Sequence, residues 1–323
     1  MSLIKVNPRA DWNSDRLQVM VYRDFQGLNM GNSWWDSHYE AEMVSVERIC
    51  PNLHFLDLET EPSINNVYTN DAAVDGSRFQ YNSLQKTTMT LHFWLQFTDY
   101  RDFIDKKHDI ESFFSAKAGF DVATNYHPNI HARGYVNKIQ IKPNGDHDAI
   151  FDVTMDNAYG MWFTNKTSLL EEHWDSQTVR DLRMPKSALQ NGKPTWKLHP
   201  GTNKVFIPGD VVVQLSNPIV QCNIHLNGCS DGVSVINKTN NTRLVANNRH
   251  NIHAAPISGN YVWMNLNFGK VVKIDPKTKK ITYTPSNMYS NSTDFWLNPG
   301  WNTIELQNAA SGYIDTSFYF TTI

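Results

Sequence analysis

The sequence predicts a mainly β protein with one α-helix in its N-terminal half, folded as two domains. Three observations carry that prediction: a long period-two segment at 87–97, an amphipathic stretch directly after it, and a run of short strands, with no helix among them, beyond Gly201. With 323 residues, 40% hydrophobic and 12% aromatic, the chain has apolar material for more than one core. Asn is frequent and often paired, as in Asn65-Asn66, Asn240-Asn241 and Asn247-Asn248. Because Asn favours turns while Val, Ile, Tyr, Phe and Trp favour strands, the composition also points to many short strands joined by tight turns.

Between Gln18 and Val46, the runs Val19-Met20-Val21-Tyr22 and Met43-Val44 read as strands, separated by Gly27, Gly31 and the pair Trp34-Trp35. A polar stretch at 59–70 leads to Asp75-Gly76, a turn signal. In the segment 87–97, Met89, Leu91, Phe93, Leu95 and Phe97 share one face, which makes a strand with one strongly apolar side. Thr98 then offers a helix cap, with Asp99 and Asp102 in the first turn where the helix dipole favours negative charge. Tyr100, Phe103, Ile104, Ile110, Phe113 and Phe114 recur at helical spacing and Gly119 closes the pattern, so 98–117 is expected to be a helix lying on a sheet.

Strands follow at 119–126, 130–141 and 149–155, the last two joined by the turn Pro143-Asn144-Gly145-Asp146. Residues 165–200 change texture, becoming charged and helix-compatible with Leu169, Leu170 and Trp174 as anchors. They are expected to form a linker or interdomain extension between a domain at 1–164 and another at 201–323. Strands spaced along 211–321 with turn chemistry between them predict a β-sandwich or jelly roll.

The chemistry is read largely by exclusion. The formal charge of −3 gives no strong basic field for duplex DNA or an anionic membrane. No apolar run is long enough to span a bilayer, and Met1-Ser2-Leu3-Ile4-Lys5 is not the start of a secretion signal. Cys50, Cys222 and Cys229 are too few for a disulfide framework and fit a reducing compartment, so the sequons at Asn165, Asn237, Asn240 and Asn291 are expected to be accidental.

Asp57, Glu59 and Glu61 alternate, yet nothing fixes an acid and a base on opposite sides of a bond, so no catalytic residue is expected. His250 and His253 lack a third ligand, Asp146-His147-Asp148 lies in a turn, and Cys222 and Cys229 stand too far apart for a zinc knuckle, so no metal is expected. No glycine-rich phosphate cradle is present, and no cofactor is expected. The candidate packing or interaction residues are Trp34, Trp35, Phe103, Phe113, Trp263 and Trp296. Trp34, Trp35, Trp162, Trp263, Trp296 and Trp301 also have a second use open to them, stacking on sugar rings. The flanks of Trp263 and Trp296, Val262 and Met264 for one and Phe295 and Leu297 for the other, favour packing for those two.

The order of these elements resembles a known family. Asp75-Gly76, the apolar strand 89–97, the helix 98–117 and the strands up to Met155 are similar to the N-terminal hub domain of the distal tail (Dit) proteins of long-tailed siphophages. Near the C-terminus, Val271-Val272-Lys273-Ile274-Asp275-Pro276, then Lys280-Ile281-Thr282-Tyr283, then Leu297-Asn298-Pro299-Gly300-Trp301-Asn302 resembles the closing pattern of that family. Pro299-Gly300 sets a tight turn there, and Asn302 is placed to hydrogen-bond its backbone. The resemblance covers about half the chain, near 67–163 and 262–320, and leaves 1–66 and 164–200 outside it.

The resemblance implies a ring-forming, β-sandwich-like hub domain over 1–164 and a galectin-like β-sandwich over 201–323. It implies a structural virion protein, not an enzyme, assembled in the host cytoplasm and placed at the distal end of the tail tube as the hub for tail-tip or baseplate assembly. The implied partners are further copies of the chain in a homohexamer, the tail tube protein, a tail-tip or tail-associated lysin-like protein and a receptor-binding protein, with no membrane contact and with DNA passing through the ring unbound. The alternative is a carbohydrate-binding module that contributes to attachment at the host surface.

Overall fold

The structure, a computed structural model, describes residues 15–24, 43–70, 75–164, 168, 176–190, 193–214, 220, 222–228, 233–248, 262–265, 270–274, 281–283, 288–290 and 295–323. The chain divides into two compact units, 1–165 with 321–323, and 166–320.

The first unit contains β1 (Val19–Asp24), β2 (Val44–Ser45), β3 (Leu53–Thr60), β4 (Ile64–Thr69), β5 (Arg78–Leu84), β6 (Thr87–Gln96), α1 (Tyr100–Phe114), β7 (Gly119–Thr124), β8 (Ile130–Ile139), β9 (Asp148–Asn157) and β10 (Trp162–Thr164). Its main sheet is antiparallel in the order β2-β1-β7-β8-β9-β6-β3, with β10 also beside β8. β6 is the spine because its alternation is unbroken. Met89, Leu91, Phe93 and Leu95 are fully buried and stand directly opposite Met155, Val153, Phe151 and Ala149 of β9. A slip of one residue would turn that whole row to the other face, so burial fixes the register.

α1 covers this row. Phe114 packs on Phe93 and Phe120 at ring-centroid distances of 6.0 and 5.7 Å, and Phe103 on Phe97 at 5.0 Å. Asp99, not Thr98, is the N-cap: its Oδ1 accepts the backbone N–H of Asp102 at 2.9 Å. Thr98 stands one residue outside and donates its own backbone N–H to the Asp102 carboxylate at 2.8 Å, a reciprocal exchange of the capping-box kind. The helix is shorter than 98–117, and Tyr100 and Ile104 are exposed. Both depart from the apolar face expected of them, while Phe103, Ile110, Phe113 and Phe114 are buried. Lys106 supplies a polar tie, its ammonium donating to the Gln96 carbonyl and to Asp102, both at 2.9 Å.

A buried ion pair joins β7 to β8. Asp121 and Arg133 are directly opposite one another and meet at 2.6 Å with both side chains enclosed. Gly119 leaves the space the guanidinium occupies, since a Cβ there would lie 2.5 Å from Arg133 Nε. Removing either partner would take a 2.6 Å charged contact from a group that is enclosed, where such a loss is costly.

The second unit contains α2 (Ser176–Asp181), β11 (Leu189–Gln190), β12 (Lys193–Pro194), β13 (Lys197–Leu198), β14 (Gly201–Ile207), β15 (Val213–Gln214), β16 (Cys222–Asn227), β17 (Val233–Asn237), β18 (Thr242–Asn248), β19 (Val262–Asn265), β20 (Lys270–Ile274), β21 (Ile281–Tyr283), β22 (Met288–Ser290), β23 (Trp296–Leu297), β24 (Gly300–Gln307), β25 (Ser311–Thr316) and β26 (Tyr319–Phe320). Two sheets dominate, β13-β25-β16-β19-β20-β21 and β14-β24-β17-β18-β22, with β15 and β23 paired separately. Buried Cys222, Ile224 and Leu226 on β16, and the alternation of buried and half-buried positions along β24, give each sheet one inward row, as in a β-sandwich.

From Lys166 onward the stretch expected as a linker belongs to this unit. Ser168 is buried and its Oγ donates to the Ile314 carbonyl at 2.6 Å, while Trp196 and Leu198 are buried. Leu169, Leu170 and Trp174 lie outside the described residues.

Candidate functional site

Between β3 and β6 the chain leaves the main sheet as the β4–β5 hairpin, a two-stranded ribbon whose strands pair only with one another. The backbone N–H of Gln85 closes its base on the Ser63 carbonyl at 2.8 Å. Ile64, Tyr68, Phe79 and Tyr81 are 53%, 55%, 51% and 57% exposed, and Tyr68 meets Phe79 edge-on at 5.9 Å. An isolated hairpin is marginal in water, and one that carries this much apolar surface calls for a covering partner.

The sheet face turned away from α1 is the second open surface. His92 of β6 is bracketed by carboxylates, with Nδ1 2.6 Å from Asp152 and Nε2 3.6 Å from Glu59. Lys86 pairs with Asp156 at 2.9 Å, and the His54 ring lies 5.2 Å from Trp94. Ile150 and Leu56 are exposed. The face is thus a mosaic of paired charges and isolated apolar side chains that ends at β3, the last strand of the sheet among the described residues.

The electrostatic shifts fall on groups that are buried or hydrogen-bonded. The Asp102 carboxyl is held below its ordinary range, first by the Thr98 backbone N–H and then by Lys106. Burial pushes the thiols of Cys50 and Cys222 up to about 12, so neither is a thiolate at neutral pH. Burial likewise raises the Tyr159 phenol to about 12. Among the described residues no three of His, Cys, Asp and Glu are grouped so as to hold a metal ion. Among them, too, no helix is long and apolar enough to cross a membrane.

The residues singled out from sequence do not converge on one place. Phe103 and Phe113 lie in the α1 core, and the Arg23 guanidinium sits 4.9 Å above the Phe113 ring. Trp296 is half-buried on β23, and Trp263 lies on β19 opposite His225 and Val272. Trp34, Trp35, Cys229, His250 and His253 lie outside the described residues. The sequence reading misses the β4–β5 hairpin, although Phe79 and Tyr81 alternating just after Asp75-Gly76 carried the signal. Trp301, in the second unit, is 42% exposed and edge-on to Phe206 at 5.4 Å.

Comparison with known proteins follows the same division. Residues 45–156, which run from β2 to the end of β9 and include the hairpin and α1, match the family model of the phage tail protein RIFT-related domain. Among solved structures, the Dit protein of phage SPP1, described as a paradigm of the hub of the adsorption apparatus in phages that infect Gram-positive bacteria, matches with a TM-score of 0.53 at 10% identity over 93% of this chain and 99% of that one. A chain of the phage p2 baseplate in its activated conformation matches at 10% identity over 94% and 98% of the two chains, with a TM-score of only 0.35. No curated protein sequence matches. Residues 45–156 thus match the phage tail protein RIFT-related domain, in a chain whose fold is like that of the SPP1 Dit protein.

Proposed function

We propose that this chain is a structural protein of the phage tail, and that its first unit closes into a homohexameric ring at the distal end of the tail tube and serves there as the hub for the tail tip or baseplate. The observation that carries this reading is the β4–β5 hairpin inside the matched segment 45–156, an aromatic ribbon left open on a single copy. A ring needs a head-to-tail interface whose two halves differ, and the hairpin and the β3 edge of the main sheet are two unlike surfaces on one unit.

In this reading 1–164 is the ring-forming domain and 201–323 a galectin-like sandwich. The partners are further copies of the chain, the tail tube protein, tail-tip or lysin-like proteins and a receptor-binding protein. DNA passes through unbound, as suits a chain of net charge −3, and no catalysis or cofactor is involved.

Mass measurement in solution and negative-stain electron microscopy test this together. Rings are expected, and Phe79→Ser with Tyr81→Ser is expected to give monomers that melt with the parent's first transition. A monomer at every concentration, with no ring on the grid, would overturn the proposal.

A second reading, a glycan-binding face on the second unit, is favoured by Trp301. An open indole beside Phe206 is the kind of platform on which a sugar ring stacks. Saturable binding on a glycan array that Trp301→Ala abolishes would support it, and an array without signal would remove it.

A further inference from the structure

The turn at 298–302 has a twin. The backbone N–H of Asn298 donates to Asn302 Oδ1 at 3.0 Å, and Asn302 Nδ2 donates to the carbonyls of Asn298 and Gly300 at 2.7 and 3.1 Å. The backbone N–H of His199 donates to Asn203 Oδ1 at 2.9 Å, and Asn203 Nδ2 donates to the carbonyls of His199 and Gly201 at 2.8 and 3.0 Å. Gly300 and Gly201 hold the same left-handed conformation, with φ of 85° and 89°.

The likeness extends beyond the turns at one constant offset in sequence. Trp196-Lys197-Leu198-His199-Pro200-Gly201-Thr202-Asn203-Lys204-Val205-Phe206-Ile207 aligns without a gap on Phe295-Trp296-Leu297-Asn298-Pro299-Gly300-Trp301-Asn302-Thr303-Ile304-Glu305-Leu306. At the same offset, Gly209 and Asn308 both have positive φ.

The pairing is reciprocal as well. β14 and β24 pair antiparallel with each other. The first strand of the earlier copy, β13, pairs with β25 of the later one, with Leu198 opposite Gly312 and Lys197 opposite Tyr313. The first strand of the later copy, β23, pairs with β15 of the earlier one, with Leu297 opposite Val213 and Trp296 opposite Gln214. These two registers are the same register under the offset. A Pro-Gly turn locked by Asn is common chemistry, but it does not dictate which residues of a distant strand its neighbours meet.

We propose that 196–214 and 295–313 are two copies of one strand–turn–strand–loop–strand motif, related by a local two-fold axis and joined crosswise, and that this double latch closes the second unit. Each Asn-locked turn aims the first strand of its own copy at the last strand of the other. The inward positions keep their character, Trp196 with Phe295, Leu198 with Leu297, Val205 with Ile304 and Ile207 with Leu306, all buried. The outward positions do not, Thr202 standing where Trp301 does and Phe206 where Glu305 does. Closure constrains the inner row and leaves the outer one free to differ.

Site-resolved amide hydrogen exchange on the full chain tests the crosswise joint. Asn203→Ala, the milder change because its side chain is only half-buried, is expected to speed exchange at least about tenfold in β13 and in the part of β25 facing it, leaving 213–214 as in the parent. Ile314, whose N–H donates to the Trp196 carbonyl at 3.1 Å, is the amide to watch. Asn302→Ala is expected to do the converse, opening β23 and β15 first. If Asn203→Ala opened β15 of its own copy, or left Ile314 at the parental rate, the proposal would fail.

A turn exchange gives an independent check. His199→Asn with Thr202→Trp, combined with Asn298→His and Trp301→Thr, swaps the two turn sequences, and the swapped chain should keep both the parental fold and the parental exchange pattern. Loss of the folded second unit in that chain would overturn the equivalence of the two copies.

Discussion

The two units secure their sheets by opposite means. In the first, an amphipathic helix lies across the sheet, with Phe93, Phe114, Phe120 and Phe151 in one run of ring contacts and Phe97 with Phe103 in a separate pair. In the second, no described helix has that role, and the ends of the sheets are tied by amides. Asn237 Nδ2 donates to Asn302 Oδ1 at 2.8 Å and to the Trp296 carbonyl at 3.0 Å, and Asn240 Nδ2 donates to that same carbonyl at 2.9 Å. Packed rings lose stability in proportion to the volume removed and have no strict geometry, whereas an amide network depends on every member keeping its partner. The first unit should therefore give way gradually under substitution and the second abruptly.

The largest effect should come from the helix side. Phe103→Ala removes a buried ring and leaves a cavity, at a cost of roughly 3–5 kcal/mol, to be read from the urea midpoint of the first unit. A variant that melted with the parent would place the apolar face of α1 elsewhere.

On the amide side, Asn302→Ala should cost about 1–3 kcal/mol, because Asn302 is fully buried and its loss strands the Asn298 N–H and the Asn237 amide. Asn203→Ala, at the equivalent but half-exposed position, should cost about 0.5–1.5 kcal/mol, since water can replace part of what is lost. Equal effects at the two sites would mean that the surrounding network adds nothing to the lock.

Asp99→Ala tests the cap of α1 and should cost about 1 kcal/mol, with a loss of helical signal confined to the first unit. The smallest effect is set by pH. The Asp102 carboxyl is depressed in the folded chain, so its contribution is complete above the unfolded Asp value of about 3.9 and disappears as pH falls through the lower folded value. Urea midpoints taken at falling pH should drop less steeply in Asp102→Asn than in the parent, and parallel curves would remove Asp102 from the account.

How much of this could be read from the sequence depended on whether one side of an element is buried. β6 was legible because its apolar row is unbroken from Met89 to Leu95, and α1 because Phe103, Ile110, Phe113 and Phe114 repeat on one side. The cap was misplaced by one residue because Thr98 and Asp99 are both capping types, and the choice between them falls to the Asp102 exchange, which spacing does not reveal. The β4–β5 hairpin was passed over because neither of its faces is buried, so Ile64-Asn65-Asn66-Val67-Tyr68 has no alternation to display. The Asn302 lock was foreseen because 297–302 resembles a family's closing pattern, while its twin at 199–203 straddles the end of the stretch read as a linker and had no such resemblance to point to it.

The amide tie at Asn237 has a practical consequence for how the protein is made. Asn237-Lys238-Thr239 is an N-glycosylation sequon, and so is Asn240-Asn241-Thr242. Asn237 is completely enclosed, and both hydrogens of its Nδ2 are committed, one to Trp296 and one to Asn302. An oligosaccharide attached to that nitrogen would replace one of those hydrogens and bring a bulky polar tree into a space that admits no solvent. A chain routed through a eukaryotic secretory pathway meets the transferase before it has folded, so it would arrive marked at the position that has to be enclosed. Production in a bacterial cytosol avoids the modification. Where secretion is unavoidable, Thr239→Ala removes the sequon at a surface residue and leaves Asn237 itself untouched.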